Sequence, residues 1–417
     1  MLLIKDNYFH FYCGVLLSLL PFAIILGPSV STSIILILII SSLAYFIIHQ
    51  HWSWFNNRDI KILFVVFIYL IINTLLAQDP SLSVNRNVGF IRYILLAAIL
   101  VYFFKSKNYS YVFLIWLIII FIVCLDSAYE IINKKNILGY EQTYGRRLVS
   151  FFKDEPVVGT YLSSFIFIIC GFFHQIETKS LLLKILMIIL ISFIFGIIIL
   201  SGERAVTIKS IIGLIIFAFL VGQTKFYKKM IFVIFFIFAI FTVINSSNFL
   251  KLRYYGQILG YGGTLKPIPY IMNTDYIKLS KAGINVFKDY PIFGVGNKNF
   301  GKVCFQKLKK NPTSGTCSTH PHQIYIELLA EHGLIGTIIL LSSIFFILFK
   351  NFKNYLIYKN SIHLGSLIFI ICSFIPLIPS GSFFSNFNST FFWINFSIMI
   401  AFQKMEFKSN KINLKFT

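Results

Sequence analysis

Long, predominantly apolar runs decide what this chain can fold into. They lie near 11–29, 32–49, 61–77, 88–104, 110–126, 157–174, 181–200, 205–222, 230–246, 326–349, 362–379 and 386–403. A run of about 20 such residues matches the hydrocarbon thickness of a bilayer. Lipid leaves only helices or closed barrels able to satisfy the backbone, and the runs do not alternate as barrel strands do. The expected fold is therefore an all-α polytopic membrane protein with about twelve transmembrane helices. Composition agrees: 57% of residues are hydrophobic and only 12% charged, against roughly a quarter charged in soluble domains. The first run, 9–30, has no small-residue cleavage site and a second run follows at once, so it reads as a span and not as a signal peptide.

The net charge of +22 could indicate a nucleic-acid partner. The basic residues, however, sit in short clusters between apolar runs and not on one face, as orientation and attraction to anionic headgroups require. One set of connecting segments holds Arg58, Lys61, Lys105, Lys107, Lys179, Lys225, Lys228, Lys229, Lys350, Lys353 and Lys359, and the tail adds Lys404, Lys408, Lys411 and Lys415. The opposite short segments hold little beyond Arg86 and Arg204. The positive-inside rule then places both termini in the cytoplasm, membrane lipid around the chain and no nucleic acid on it.

This divides the chain into a membrane domain at 1–246 of about nine spans, a large outer loop at 247–325 before the tenth span, the last three spans at 326–403 and a basic cytoplasmic tail at 404–417. A shorter outer loop, 127–156, interrupts the first part. Structureless loops beyond about 15 residues are uncommon unless they function. Cys13, Cys124, Cys170 and Cys372 fall inside spans, where a thiol is ordinary apolar filler. Cys304 and Cys317 instead flank the polar stretch 305–316. A disulfide closing that loop is the preferred reading, two free thiols being the alternative.

Three of the eight histidines fall within thirteen residues, in Thr319-His320-Pro321-His322-Gln323 and then Glu327, Glu331, His332, Gly333 and Gly336. Pro321 disfavours helix at His320, so a helix is expected to start near His322 or Gln323, with His322 on its first turn and free N–H groups facing a phosphate. Two other readings stand beside this one. His320, His322, Glu327 and His332 are metal-ligand types, but their spacing fits no zinc pattern. They also suit plain interfacial caps. Arg204 lies between two spans with Glu203 as its nearest charge, and Arg146-Arg147 precedes Phe151. Guanidinium groups hold phosphate in a fork of fixed charge, although a snorkelling anchor is the plainer role. The 276–287 stretch reads as a short amphipathic helix, and Pro291 with Gly294 and Gly296 as a tight turn after it.

Taken in order, these residues resemble the O-antigen ligase family, which includes lipid A-core O-antigen ligases and related O-antigen polymerases. The family's most diagnostic stretch is His followed by Asn, Ser or Gln, nine variable residues, then Gly-x-x-Gly and Thr or Val. Here His322, Gln323, Gly333, Gly336 and Thr337 match it. The segment 291–296, PIFGVG, resembles a Pro-Leu-Leu-Gly-Val-Gly block, Arg204 an Arg that opens a span, and Arg147 an Arg that precedes the sixth span. The family's Arg about fifteen residues before that block is Tyr276 here, with Lys278 nearby as a candidate substitute.

The resemblance implies a metal-independent, inverting glycosyltransferase that needs no cofactor. It would move a glycan from undecaprenyl diphosphate to lipid A-core, or onto a growing lipid-linked chain, at the periplasmic face of a Gram-negative inner membrane. His322 would act as base or acceptor-orienting group. Arg204, Arg147 and Lys278 would hold the diphosphate, and Gln323, Glu327, His320, Gly333 and Gly336 would support the site. A flippase or other transporter is the non-enzymatic alternative.

Overall fold

The computed structural model describes residues 6–105, 109–143, 147–176, 178–222, 225–256, 274–310 and 316–405. Lys107, Arg146 and the tail beyond 405 lie outside the described residues. Regular structure within them is helical, apart from two isolated bridges, Lys135 with Glu141 and Thr143 with Arg147.

The chain runs through α1 (Asp6–Ser18), α2 (Leu20–Leu26), α3 (Pro28–Ile48), α4 (Arg58–Leu75), α5 (Pro80–Gly89), α6 (Ile91–Phe103), α7 (Ser110–Asn133), α8 (Val158–Gln175) and α9 (Leu181–Leu200). It continues with α10 (Arg204–Leu220), α11 (Phe226–Asn245), α12 (Asn248–Lys251), α13 (Asp275–Asp289), α14 (Phe300–Lys310), α15 (Ile324–Tyr358), α16 (Ser361–Ser373) and α17 (Asn386–Phe402). All twelve apolar windows of the sequence fall on helices. Eight helical stretches are long and apolar enough to cross a membrane: Asn7–Leu26 (α1 with α2), α3, Pro80–Phe103 (α5 with α6), α7, α8, α9, α11 and α15. The other windows lie on α4, whose first turn carries Arg58, Asp59 and Lys61, and on α10, α16 and α17, of 17, 13 and 17 residues. At 1.5 Å per residue these three fall short of the hydrocarbon thickness of about 30 Å.

Burial sorts the helices by depth. The spanning window of α8 is 83% buried, against 28% for α9 and 18% for α11. α8 is therefore the axis of the bundle, packed against α16, α9 and α10, and the apolar faces of α9 and α11 point outward. Its closest neighbour is α16, where Gly171 stands against the Ser361 carbonyl and Gly365 against the Phe167 carbonyl. A Cβ on either glycine would collide with the opposing backbone, the usual condition for close helix pairs in lipid.

At the end carrying the basic connecting segments, the buried Asp59 carboxylate joins three helices. Lys350 Nζ of α15 donates to one oxygen at 2.8 Å, and Gln403 Nε2, next to α17, to the other at 3.0 Å. At the opposite end α7 continues to Asn133, so the first residues assigned above to the loop 127–156 are helical. Two buried carboxylates at that end of α7 organise the loop. Glu130 accepts from the Val149 and Ser150 N–H groups at 3.0 and 2.7 Å. Asp126 accepts from the Ser150 hydroxyl at 2.5 Å and the Ile137 N–H at 2.9 Å. Arg147 is thereby carried to the N-terminal end of α8.

Candidate active site

His322 is positioned by backbone and not by helix. Gln323 is the N-cap of α15, its side-chain oxygen accepting from the Ile326 N–H at 2.8 Å. His322 thus stands just before the cap, which corrects its expected place on the first turn: the cap occupies Gln323, and His322 itself is left-handed, with φ +56°. Its carbonyl accepts from the Ser380 N–H at 2.9 Å, tying this turn to the α16–α17 connection. The His320 ring lies 3.9 Å from the His322 ring, centroid to centroid, and Tyr276 meets it edge-on at 5.7 Å. Burial lowers the His322 pKa below its ordinary value. His320 is pushed down to about 4, by burial first and then by the His322 and Arg86 charges. Both imidazoles are therefore neutral near pH 7.

The glycines after His322 serve the backbone. At Gly333, φ +63° and ψ −168° break α15, a conformation confined essentially to glycine. The segment 291–296 fills the break. Val295 and Gly296 N–H groups donate to the Ala330 and Glu331 carbonyls at 3.0 and 2.9 Å, and Leu334 and Ile335 N–H groups donate to the Pro291 and Ile292 carbonyls at 2.8 and 3.2 Å. The freed groups of the broken helix are thus paired, as burial requires. A Cβ at Gly294 would stand 2.5 Å from the Glu331 carbonyl carbon. Gly336 leaves room for the Tyr69 hydroxyl, which lies 3.1 Å from His332 Nδ1. Glu327 faces the α16–α17 connection, accepting from the Ser382 hydroxyl at 2.5 Å and the Phe383 N–H at 3.0 Å.

In front of His322 opens a cavity of about 1110 Å³ whose lining includes Arg147, Arg204 and Arg253. The three arginines come from the α7–α8 loop, the start of α10 and the turn after α12. Arg147 Nη2 donates to the Pro156 carbonyl at 2.9 Å. Arg253 donates through Nε and Nη2 to the Gly202 carbonyl at 3.3 and 3.0 Å. Burial, then the Arg204 charge and then that of Arg147, press the Arg253 pKa below its ordinary value. Guanidinium groups that share a cavity wall are suited to holding an anion.

The carboxylate beside them is already committed. Glu203 accepts from the Gly159 and Thr160 N–H groups at 2.5 and 3.2 Å and from the Thr160 hydroxyl at 2.6 Å, so it caps α8. Its pKa is raised, chiefly by burial.

Residues 186–341 match the family model described as O-antigen ligase. Over that stretch the chain is similar to the O-antigen ligase family. The matched stretch runs from α9 into α15 and holds Arg204, Arg253, His322, Gly333 and Gly336; Arg147 precedes it. No curated protein sequence matches the chain.

Two residues stand elsewhere than the sequence reading expected. Lys278 does not line the cavity; it pairs with Asp275 at 3.8 Å on the exposed side of α13. Arg253 does line the cavity. Sequence reasoning passed over it inside the loop 247–325, although it is the sole arginine among the lysines of that segment. Tyr276, where the family arginine was sought, contributes its ring to the cavity wall. Cys304 and Cys317 form a disulfide, Cα–Cα 5.8 Å, and Cys317 leads directly into the histidine turn. Among the described residues no group of three or more His, Cys, Asp or Glu side chains is arranged to hold a metal ion.

Proposed function

We propose that the chain is a membrane glycosyltransferase. It moves a glycan from undecaprenyl diphosphate to a sugar hydroxyl of lipid A-core, at the periplasmic face of a Gram-negative inner membrane. One observation carries this reading: His322 and three arginines from separate segments line a single cavity. The acceptor hydroxyl attacks the anomeric carbon of the donor sugar, the bond from that carbon to the phosphate oxygen breaks, and the electron pair leaves on the diphosphate. The hydroxyl proton passes to His322, whose neutral ring offers one acceptor nitrogen. Attack opposite the departing phosphate inverts the anomeric centre. Charge grows on the leaving diphosphate, and in this reading the guanidinium groups of Arg147, Arg204 and Arg253 stabilise it. The donor is activated by its own diphosphate, so the reading calls on no nucleotide and no metal.

Gln323, Glu327, Gly333 and Gly336 act in this scheme by fixing the turn that presents His322, and the neutral His320 supports its ring. The test is reconstitution in lipid with a lipid-diphosphate-linked glycan and lipid A-core. Glycan on core supports the ligase. Longer carrier-linked chains reassign the acceptor and make the protein a polymerase. Movement of the lipid-linked glycan across the bilayer, unaffected by His322→Ala, identifies a transporter instead.

A further inference from the structure

The cavity contains a cation that the transfer step leaves unused. Lys209 lies on α10 five residues beyond Arg204, about 7.5 Å further along the helix axis, and lines the same space. A lysine at membrane depth is costly and normally finds a counter-charge. Among the described residues its ammonium has no hydrogen bond or ion pair, and the Cys372 thiol is its electrostatic neighbour. The lining has two carboxylates, Glu203 and Asp275. Glu203 is held by the N-terminus of α8, and Asp275 pairs with Lys278. Beside Lys209, the Ser210 hydroxyl is 1% exposed, lines the cavity and has no partner. A lone ammonium and an orphaned hydroxyl, in a lining that also holds Phe167 and Phe369, are complementary to an anion carrying a hydrocarbon chain.

We propose that Lys209 and Ser210 form a second anion subsite, which binds the phosphate esterified to the lipid of the donor while the arginines hold the sugar-linked phosphate. The inference rests on the lipid-diphosphate reading above. The lipid-side phosphate stays in place before and after the glycosidic bond breaks. Lys209 therefore contributes the same binding to ground and transition states, and its loss raises KM with little change in kcat.

The test titrates the full-length protein in lipid nanodiscs with undecaprenyl monophosphate, which has only the lipid-side phosphate, and in parallel with inorganic diphosphate. Lys209→Met is expected to weaken undecaprenyl monophosphate binding about tenfold or more, the range of a lost charge-assisted hydrogen bond. Lys209→Arg should restore most of it, and inorganic diphosphate binding at the arginines should change less than about twofold. Equal binding of the monophosphate by wild type and Lys209→Met overturns the subsite and leaves the donor reading intact. Equal loss for both probes without rescue by arginine also overturns it, as a structural effect. Failure of the wild type to bind either undecaprenyl monophosphate or undecaprenyl diphosphate removes the donor reading, and the subsite with it.

Discussion

At His322 burial favours the neutral imidazole, and the sign of its pH dependence follows. Protonation removes the base, so transfer is full above the ordinary histidine value of about 6.5 and falls as pH drops through the lowered one. The acid limb of kcat/KM in the reconstituted reaction should lie below about pH 6.5; a limb at higher pH would sink the assignment. His322→Ala should cost roughly 10²- to 10⁴-fold in kcat, the usual worth of a general base. Arg253 and Lys278 separate in the same assay. Arg253→Ala should lower kcat/KM by roughly ten- to a hundredfold, as loss of a charge-assisted contact does. Lys278→Ala, at an exposed side chain that pairs with Asp275 and does not itself line the cavity, should leave it within about twofold, since such pairs contribute about 0–1 kcal/mol. The reverse order would restore Lys278 to the role the sequence suggested. Chain distance alone suggested that lysine, and in α13 its neighbours Asp275, Tyr276 and Leu279 line the cavity while it does not.

The break in α15 is where the element scale matters. Its positive φ and the pressure of 291–296 against it make Gly333 the position least able to accept a side chain. Gly333→Ala should cost about 1–3 kcal/mol in backbone strain alone, before the clash with Ile292. A lowered melting temperature of the purified protein is the readout, and an unchanged one would mean that α15 does not need the break. The spacing of His322, Gly333 and Gly336 is plain in the sequence. Its reason is not, because the partners are Pro291, Ile292 and Tyr69, far away along the chain. The Cys304–Cys317 disulfide closes a loop of 13 residues. Replacing both cysteines by serine should remove about 3 kcal/mol in the loop-entropy picture, seen as earlier proteolysis between α14 and the histidine turn.

For the molecule as a whole, the short connecting segments poor in basic residues gather at the cavity end, and the short lysine-bearing ones lie at the other, near Asp59. Orientation can be tested there directly. The four free cysteines are buried and the remaining two are bridged, so a single introduced thiol reports without background. A membrane-impermeant maleimide applied to intact spheroplasts should label Glu155→Cys, which is exposed beside the cavity end. It should spare Lys353→Cys, exposed at the basic end, until the membrane is opened. The opposite pattern would invert the topology and put the cavity in the cytoplasm.

The sequence by itself determined that the chain is helical and membrane-embedded, which apolar windows become helices, and that His322 and Arg204 deserved notice. Hydropathy suffices for this because lipid forces each apolar run to satisfy its own backbone locally. What tertiary structure alone decided is which cations share a space. Arg147, Arg204, Lys209 and Arg253 are spread over more than a hundred residues and meet only because α8 and α10 pack side by side at the cavity end. Long-range convergence of this kind leaves no local periodicity to read, whereas a span does. Arg253, unremarkable in a Tyr-rich turn, lines the cavity for that reason, and Lys278 does not for the same one.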